Sequence, residues 1–581
     1  MKNKSNEMNA EVKSSGRSES STSTTNRRKS KKRNSSRNGQ FRSLRNADDK
    51  FPSGKDFKYH SNAPEWYYKD KATLDATASF SYYTALGYDL LPSEVLDLRA
   101  NQHLCPFTAA VPGLMSLRLG LTPGIADNAQ DPVNLAAQNV YSFVRYKNSG
   151  GKNYDAPDLM LYLLTMDSIY ACWSWLKRIY GYTSSYSQLN RYRPMAYAAA
   201  DHVDLDDIYA HLADFRAYIN MTADRISAFC VPATMTYNIR HTWLFSNIFK
   251  DADELKAQEY IYVPAWFYKY NETSSSTGGF LEAVDVNYNV NVNRPKWTYQ
   301  TLMELMNSLI NAAMYSEDIG VMSGDVLKAY EGNIFKLSHI EADYAITPVY
   351  DRAALSQIEN ATLWLNYYSD SDAFKDVQLF NVTQDPNTNY LKFRPTVDTT
   401  DMQMGLTNTG GYLNFHWDNP TPQDVIEASR LMWTGEVAGD GLHFEMTSVG
   451  SEIVTRCSIY TFVQSMDWHD EYKRYAPMQL IEMPLDEASA ENSNFVDGWI
   501  TNIIYDSTDT SPQQAGIQTL AMIWNWLAFD WAPAISVNTM NIIPGTGNTT
   551  YTMPFLRDWA TYTILGYSNI VALNNLAIQS E

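Results

Sequence analysis

Cysteine is scarce, with four residues in 581, at positions 105, 172, 230 and 457. They are too far apart for the paired spacing of a zinc site or a redox centre, so buried thiols in a reducing compartment are expected. No GxxxxGKS/T loop, no GxGxxG after a strand pattern and no HExxH occurs, which removes the common phosphate, dinucleotide and zinc-protease signatures. Gly545-Thr546-Gly547-Asn548 shares only its glycines with a phosphate loop and reads as a turn. Long apolar runs are missing too. The start has no apolar segment of a secretory signal, and the late stretch 523–537 is interrupted by Asn525, Asp530 and Pro533. Neither export nor stable membrane insertion is expected. No enzyme class, no metal and no cofactor is indicated.

Positive charge is thin everywhere except at the front. Residues 1–46 hold thirteen lysines and arginines against Glu7, Glu11 and Glu19, a net +10; the remainder carries −29, and the whole chain −19. The basic residues Arg27, Arg28, Lys29, Lys31, Lys32, Arg33, Arg37, Arg42 and Arg45 sit among Ser, Thr and Asn, with no aromatic before Phe41. Such a segment buries too little apolar surface to offset chain entropy, so a disordered arm is expected over 1–62. Clustered cations on a flexible arm bind polyphosphate by releasing its counterions, without sequence specificity. These nine residues are therefore the candidate nucleic-acid contacts. A solubilising tail or an import signal is the plainer reading of the same run.

What is abundant is aromatic surface: 40 Tyr, 15 Trp and 22 Phe within a chain that is 44% hydrophobic. Side chains that combine large area with a polar handle suit cores and subunit interfaces alike. Helical spacing over 158–180 places Leu159, Leu163, Met166, Tyr170, Trp173 and Leu176 on one stripe, with Gly181 as the stop. A second helix is expected over 205–229, capped by Asp204, and a third over 299–314. Tyr260-Ile261-Tyr262-Val263 and Phe280-Leu281-Glu282-Ala283-Val284 read as two strands joined by the polar run between them. Short strands and turns are expected from 376 to 465, interrupted by a helix over 421–433. Helical spacing returns over 513–527 and 554–576.

Inside the acidic body, Arg191, Arg193, Arg240 and His241 are more readily explained by pairing with carboxylates than by contact with nucleic acid. Asp467-Trp468-His469-Asp470, followed by Glu471, puts carboxylates beside an imidazole, but neighbours in sequence rarely converge on one ion. An exposed acidic turn or an interface contact is expected there. His416-Trp417-Asp418 is expected to be a packed, hydrogen-bonded histidine.

Leu176-Lys177-Arg178-Ile179-Tyr180-Gly181, then Leu189-Asn190-Arg191-Tyr192-Arg193-Pro194, then Ala213-Asp214-Phe215-Arg216-Ala217-Tyr218-Ile219-Asn220 follow in an order and spacing that resemble picobirnavirus capsid proteins. Partitivirus capsids are a more distant likeness. Arg240-His241-Thr242-Trp243 and Lys256-Ala257-Gln258 continue the resemblance over roughly 167–282, and 421–430 adds weaker support. The resemblance implies an α+β fold: a predominantly helical shell domain (63–265 and a return over 500–581) with an inserted mixed, β-rich projecting domain (266–499). It also implies homodimers that build an icosahedral shell around double-stranded RNA, so the expected partners are the chain itself and viral RNA. The virion, and the host cytoplasm during assembly, are the implied locations. The sequence also admits two other readings: a cytosolic nucleic-acid-binding scaffold that forms no shell, and a hydrolase built on Asp467, His469 and Asp470.

Overall fold

The computed structural model describes residues 71–72, 109–149, 153–185, 193–252, 257–272, 278–288, 294–363, 377–385, 387–398, 411–437, 439, 443–464 and 466–467, with shorter pieces between 474 and 556 and then 559–580. Contacts divide the chain into units 1–80 and 81–581. Of the first only Lys71 and Ala72 are described, as helix; everything below concerns the second.

After strand β1 (Ala109–Leu121) and helix α1 (Pro132–Lys147) comes α2 (Ala156–Ser184), which is apolar on every side and buried along almost its whole length. A helix without a polar face has to run through a core rather than over it. Its start is set by Asp155, whose N–H donates to the Asp158 carboxylate at 3.0 Å, and by Pro157 in the first turn. Gly181 does not stop it. The helix continues to Ser184 because the missing side chain lets residues 344–346 lie against it: a Cβ there would come within 2.8 Å of Tyr344, and the Ile346 N–H donates to the Gly181 carbonyl at 3.1 Å.

Around α2 pack α3 (Arg193–Ala200), α4 (Leu205–Ala210), α5 (Leu212–Ile226) and α6 (Thr236–Ser246). The single helix expected over 205–229 is thus two. Asp204 caps α4 through the Asp207 N–H as expected, but the His211 ring Nδ1 lies 2.9 Å from the Asp207 carbonyl and competes for it, with the ring stacked on Tyr299. α7 (Tyr299–Met314) falls where its spacing placed it; α8 (Glu317–Ala329) and α9 (Arg352–Glu359) follow. The helix expected over 421–433 shortens to α10 (Pro422–Ala428); beyond it the Leu431 and Met432 carbonyls accept from the Thr362 N–H and the Asn574 side chain.

The five-stranded sheet contains β1, β2 (Phe249–Lys250), β3 (Glu259–Pro264), β7 (Glu452–Gln464) and β8 (Gln479–Pro484), in the order β8-β7-β1-β3-β2. β1 pairs antiparallel with β7 and parallel with β3. The strand expected at 260–263 therefore pairs far away in sequence rather than with 280–284. The hairpin partner of β5 (Phe280–Asp285) is β4 (Trp266–Asn271), a strand not among those expected from the sequence. Trp266 fills the space beside Gly120, where a Cβ would collide with its ring; it stacks on Phe380 at 4.2 Å and donates Nε1 to the Leu121 carbonyl at 3.0 Å.

Short strands continue through 383–448, including β6 (Tyr412–Phe415). The helix expected over 554–576 is instead strand 555–556, strand β9 (Thr561–Ile564) and helix α11 (Tyr567–Ser580). Alternating Thr, Tyr, Thr and Ile suit a pleated surface better than a helix. The helix expected over 513–527 lies outside the described residues except for Trp526.

Candidate functional site: buried ion pairs beneath an acidic surface

Three buried ionic groups organise the body. On α2, Arg178 donates Nη2 to the Asp201 carboxylate and Nη1 to the Tyr262 carbonyl, each at 2.6 Å, and Trp175 Nε1 reaches the same Asp201 oxygen at 2.9 Å. Both charged side chains are fully buried, so α2, β3 and the exit of α3 are tied at one point. Burial pushes the Asp201 carboxyl up, against the pull of Arg178. On α3, Arg193 and Tyr197 both hold Glu259 of β3.

The third group is the largest. Arg240 on α6 grips Glu452 at the start of β7 with Nε and with Nη2 at 3.0 Å, and shares Nη2 with Gln357 at 3.0 Å. The neighbouring His241 lies between two carboxylates, Nδ1 at 2.7 Å from Asp167 of α2 and Nε2 at 3.0 Å from Glu452. With both ring nitrogens engaged by separate carboxylates, these groups do not converge on one ion; among the described residues none forms a metal site. Burial opposes a charge on Glu452, but Arg240 and His241 outweigh it and hold the carboxyl well below its usual range. Burial likewise opposes protonation of His241, yet Asp167 and Glu452 outweigh it and carry its pKa from 6.5 up to about 9. Asp167 is pushed up, chiefly by burial and against the pull of His241.

A histidine raised in this way contributes stability that is whole below its unfolded pKa and fades as pH rises through the folded one. The thermal midpoint is therefore expected to fall between about pH 6.5 and 9. A His241→Gln chain, already less stable, should show a flatter profile over that interval in a melting series; parallel profiles would remove His241 as the cause.

These pairs settle the role of the basic residues in the body. Arg193, Arg240 and His241 are engaged internally, while Arg191 lies outside the described residues. His416 is the packed residue expected, with its ring against Trp531 at 4.3 Å and Nε2 at 3.3 Å from Glu359; Trp417 lies beneath the Arg352 guanidinium at 4.4 Å. Asp467 stands in a short strand paired with 474–475, and His469, Asp470 and Glu471 lie outside the described residues, as do 545–548. All nine candidate arm contacts, from Arg27 to Arg45, also lie outside them. A cavity of about 220 Å³ between α1, α2 and the end of α11 is walled by Val133, Val140, Met160, Leu163, Leu164 and Ile578, and among the described residues no carboxylate, imidazole or amine lines it. The titratable groups on its wall, among the described residues, are the phenols of Tyr237 and Tyr330. Among the described residues, no helix is long and apolar enough to cross a membrane.

The carboxylate partners Asp167, Asp201, Glu259 and Glu452 were not singled out from the sequence. A charged residue within an apolar helical run, such as Asp167 or Arg178, is the signal that points to them.

Comparison with known proteins bears on most of the chain. The family model described as Picobirnavirus, Capsid protein matches residues 66–544. The capsid protein precursor of Human picobirnavirus (strain Human/Thailand/Hy005102/-) is 30% identical over 443 residues, covering 73% of this chain and 74% of that protein. The X-ray crystallographic structure of the picobirnavirus capsid aligns at a TM-score of 0.68 and 23% identity, over 89% of this chain and 97% of that one, a likeness of fold.

Proposed function

The chain belongs to the picobirnavirus capsid protein family, and from that premise we propose that it assembles through homodimers into an icosahedral shell around double-stranded RNA, with residues 1–46 contacting the RNA. Its role as a capsid protein is structural, and its place is the virion. Assembly in the host cytoplasm, without sequence-specific reading of the RNA, completes the proposal. The projecting domain is drawn from within 266–499, outside the strands Glu452–Gln464 and Gln479–Pro484 of the five-stranded sheet.

The observation that carries the RNA contact is charge asymmetry. A front of +10 on a body of −29 concentrates attraction for phosphate in one segment and withholds it from the rest. Nine phosphate contacts make binding steeply salt dependent, by roughly 10³–10⁵ in affinity between 50 and 200 mM salt. The internal pairing of Arg193, Arg240 and His241 supports the same assignment, because those cations are engaged elsewhere.

Deleting residues 1–46 is expected to leave particles that form but protect several-fold less RNA from nuclease, measured per particle after a high-salt wash. Unchanged RNA content in washed particles would remove the arm as the RNA contact.

A further inference from the structure

Strand β9 pairs antiparallel with β6, with Thr561 opposite Phe415, Tyr562 opposite Asn414, Thr563 opposite Leu413 and Ile564 opposite Tyr412. The far edge of β6 is closed by a side chain acting as a strand: Asn360 accepts the Asn414 N–H at 2.8 Å and donates to the Asn414 carbonyl at 3.1 Å. Asn414 thus turns its backbone groups away from β9, so Asn414 and Tyr562 form a non-hydrogen-bonded pair. The Leu565 N–H, which donates to the Gly411 carbonyl at 2.8 Å, fits the same alternation. The N–H and C=O of Tyr562 and Ile564 therefore face the outer edge of β9, where no strand is paired among the described residues.

That edge borders an aromatic surface. Tyr562 is 60% exposed and Ile564 56%, and the Tyr412, Trp559 and Tyr562 rings pack against one another at 5.8 to 6.3 Å. The strand has neither proline nor lysine, two of the residues that blunt an exposed edge, and only its shortness, four residues, limits pairing there. The run 559–580 contains no Asp, Glu, Lys or Arg at all. Two copies of a body carrying −29 repel, and an uncharged surface is where they approach at least cost. This run also lies beyond residue 544, where the family match ends.

We infer that the outer edge of β9 is a self-association surface, on which β9 of a second copy pairs antiparallel about a two-fold axis to form one continuous β6-β9-β9-β6 sheet. The inference rests on the proposal that the chain assembles through dimers. The symmetric register that satisfies all four outward groups of each strand sets Tyr562 opposite the partner subunit's Ile564 and places Thr563 on the axis, facing its own copy. The two aromatic clusters then lie side by side across the junction and exclude water from its hydrogen bonds.

Two full-length variants test this. Thr563 on the axis is a non-hydrogen-bonded pair with Cα atoms about 4.5 Å apart, within the range a disulfide spans. Thr563→Cys is expected to give a covalent dimer on mild oxidation, seen on a non-reducing gel, while the parent chain treated alike does not; Cys172, Cys230 and Cys457 are buried. Ile564→Lys puts two like charges across the junction and is expected to weaken the dimer about a hundredfold in sedimentation, with circular dichroism unchanged. Should Ile564→Lys dimerise as the parent does and Thr563→Cys fail to cross-link, the inference falls and self-assembly stands. A parent chain that remains monomeric overturns both. If Ile564→Lys does not fold, the cross-link alone decides.

Discussion

Replacing Glu452 with alanine is expected to lower the unfolding free energy by about 3–5 kcal/mol, the cost of removing one partner from a buried ionic group. Glu452 is the shared acceptor of Arg240 and His241, and its side chain is fully enclosed. Its loss leaves a guanidinium with only Gln357 and a histidine with only Asp167. The damage extends beyond one contact, since Glu452 opens β7, Asp167 lies on α2 and Arg240 on α6, so the cluster fixes sheet to helices. Glu452→Gln keeps the shape and one acceptor and should fall between parent and alanine variant. Urea midpoints on the unassembled chain measure all three. A Glu452→Ala chain within about 1 kcal/mol of the parent would place the strength of this region in apolar packing instead.

Arg178→Met is expected to cost a similar 3–5 kcal/mol, with a pH signature that a simple packing defect lacks. It leaves the Asp201 carboxylate buried with only the neutral donors Trp175 and Tyr182 beside it, and burial already favours the neutral acid there. Protonation relieves the defect at low pH, whereas above the ordinary carboxylate range the charged form has to be carried inside the fold. The loss should therefore be larger at pH 8 than at pH 5. Adding Asp201→Asn removes the stranded charge, keeps an acceptor for Trp175 and should recover a large part of the stability at pH 8. A loss of equal size at both pH values, with no recovery in the double variant, would contradict the assignment.

Arg178 also shows why a resemblance made of ordinary residues carried information. Leu176-Lys177-Arg178-Ile179 has no catalytic pattern, yet Arg178 reaches across to Asp201 and Tyr262, so the fold constrains it strongly. Local features were legible wherever the cause is local: the Asp204 cap, the helical spacing of α2 and the bounds of α7. Reading failed where a distant partner decides. β3 was recognised as a strand but given the wrong neighbour, because β1 lies well over a hundred residues earlier. Gly181 has the composition of a helix stop and is overruled by the close approach of residues 344–346. The Asp167, His241 and Glu452 cluster joins three distant segments, and no spacing rule links them. Charge asymmetry was legible because it needs only counting, and it carries the RNA proposal without any folded site.

Electron microscopy of the purified recombinant chain, with nucleic-acid content read from the ratio of absorbance at 260 and 280 nm, tests the central claim most directly. Uniform closed particles containing nucleic acid are the expected result. Only small oligomers, across a range of salt and pH, would contradict shell assembly by this chain.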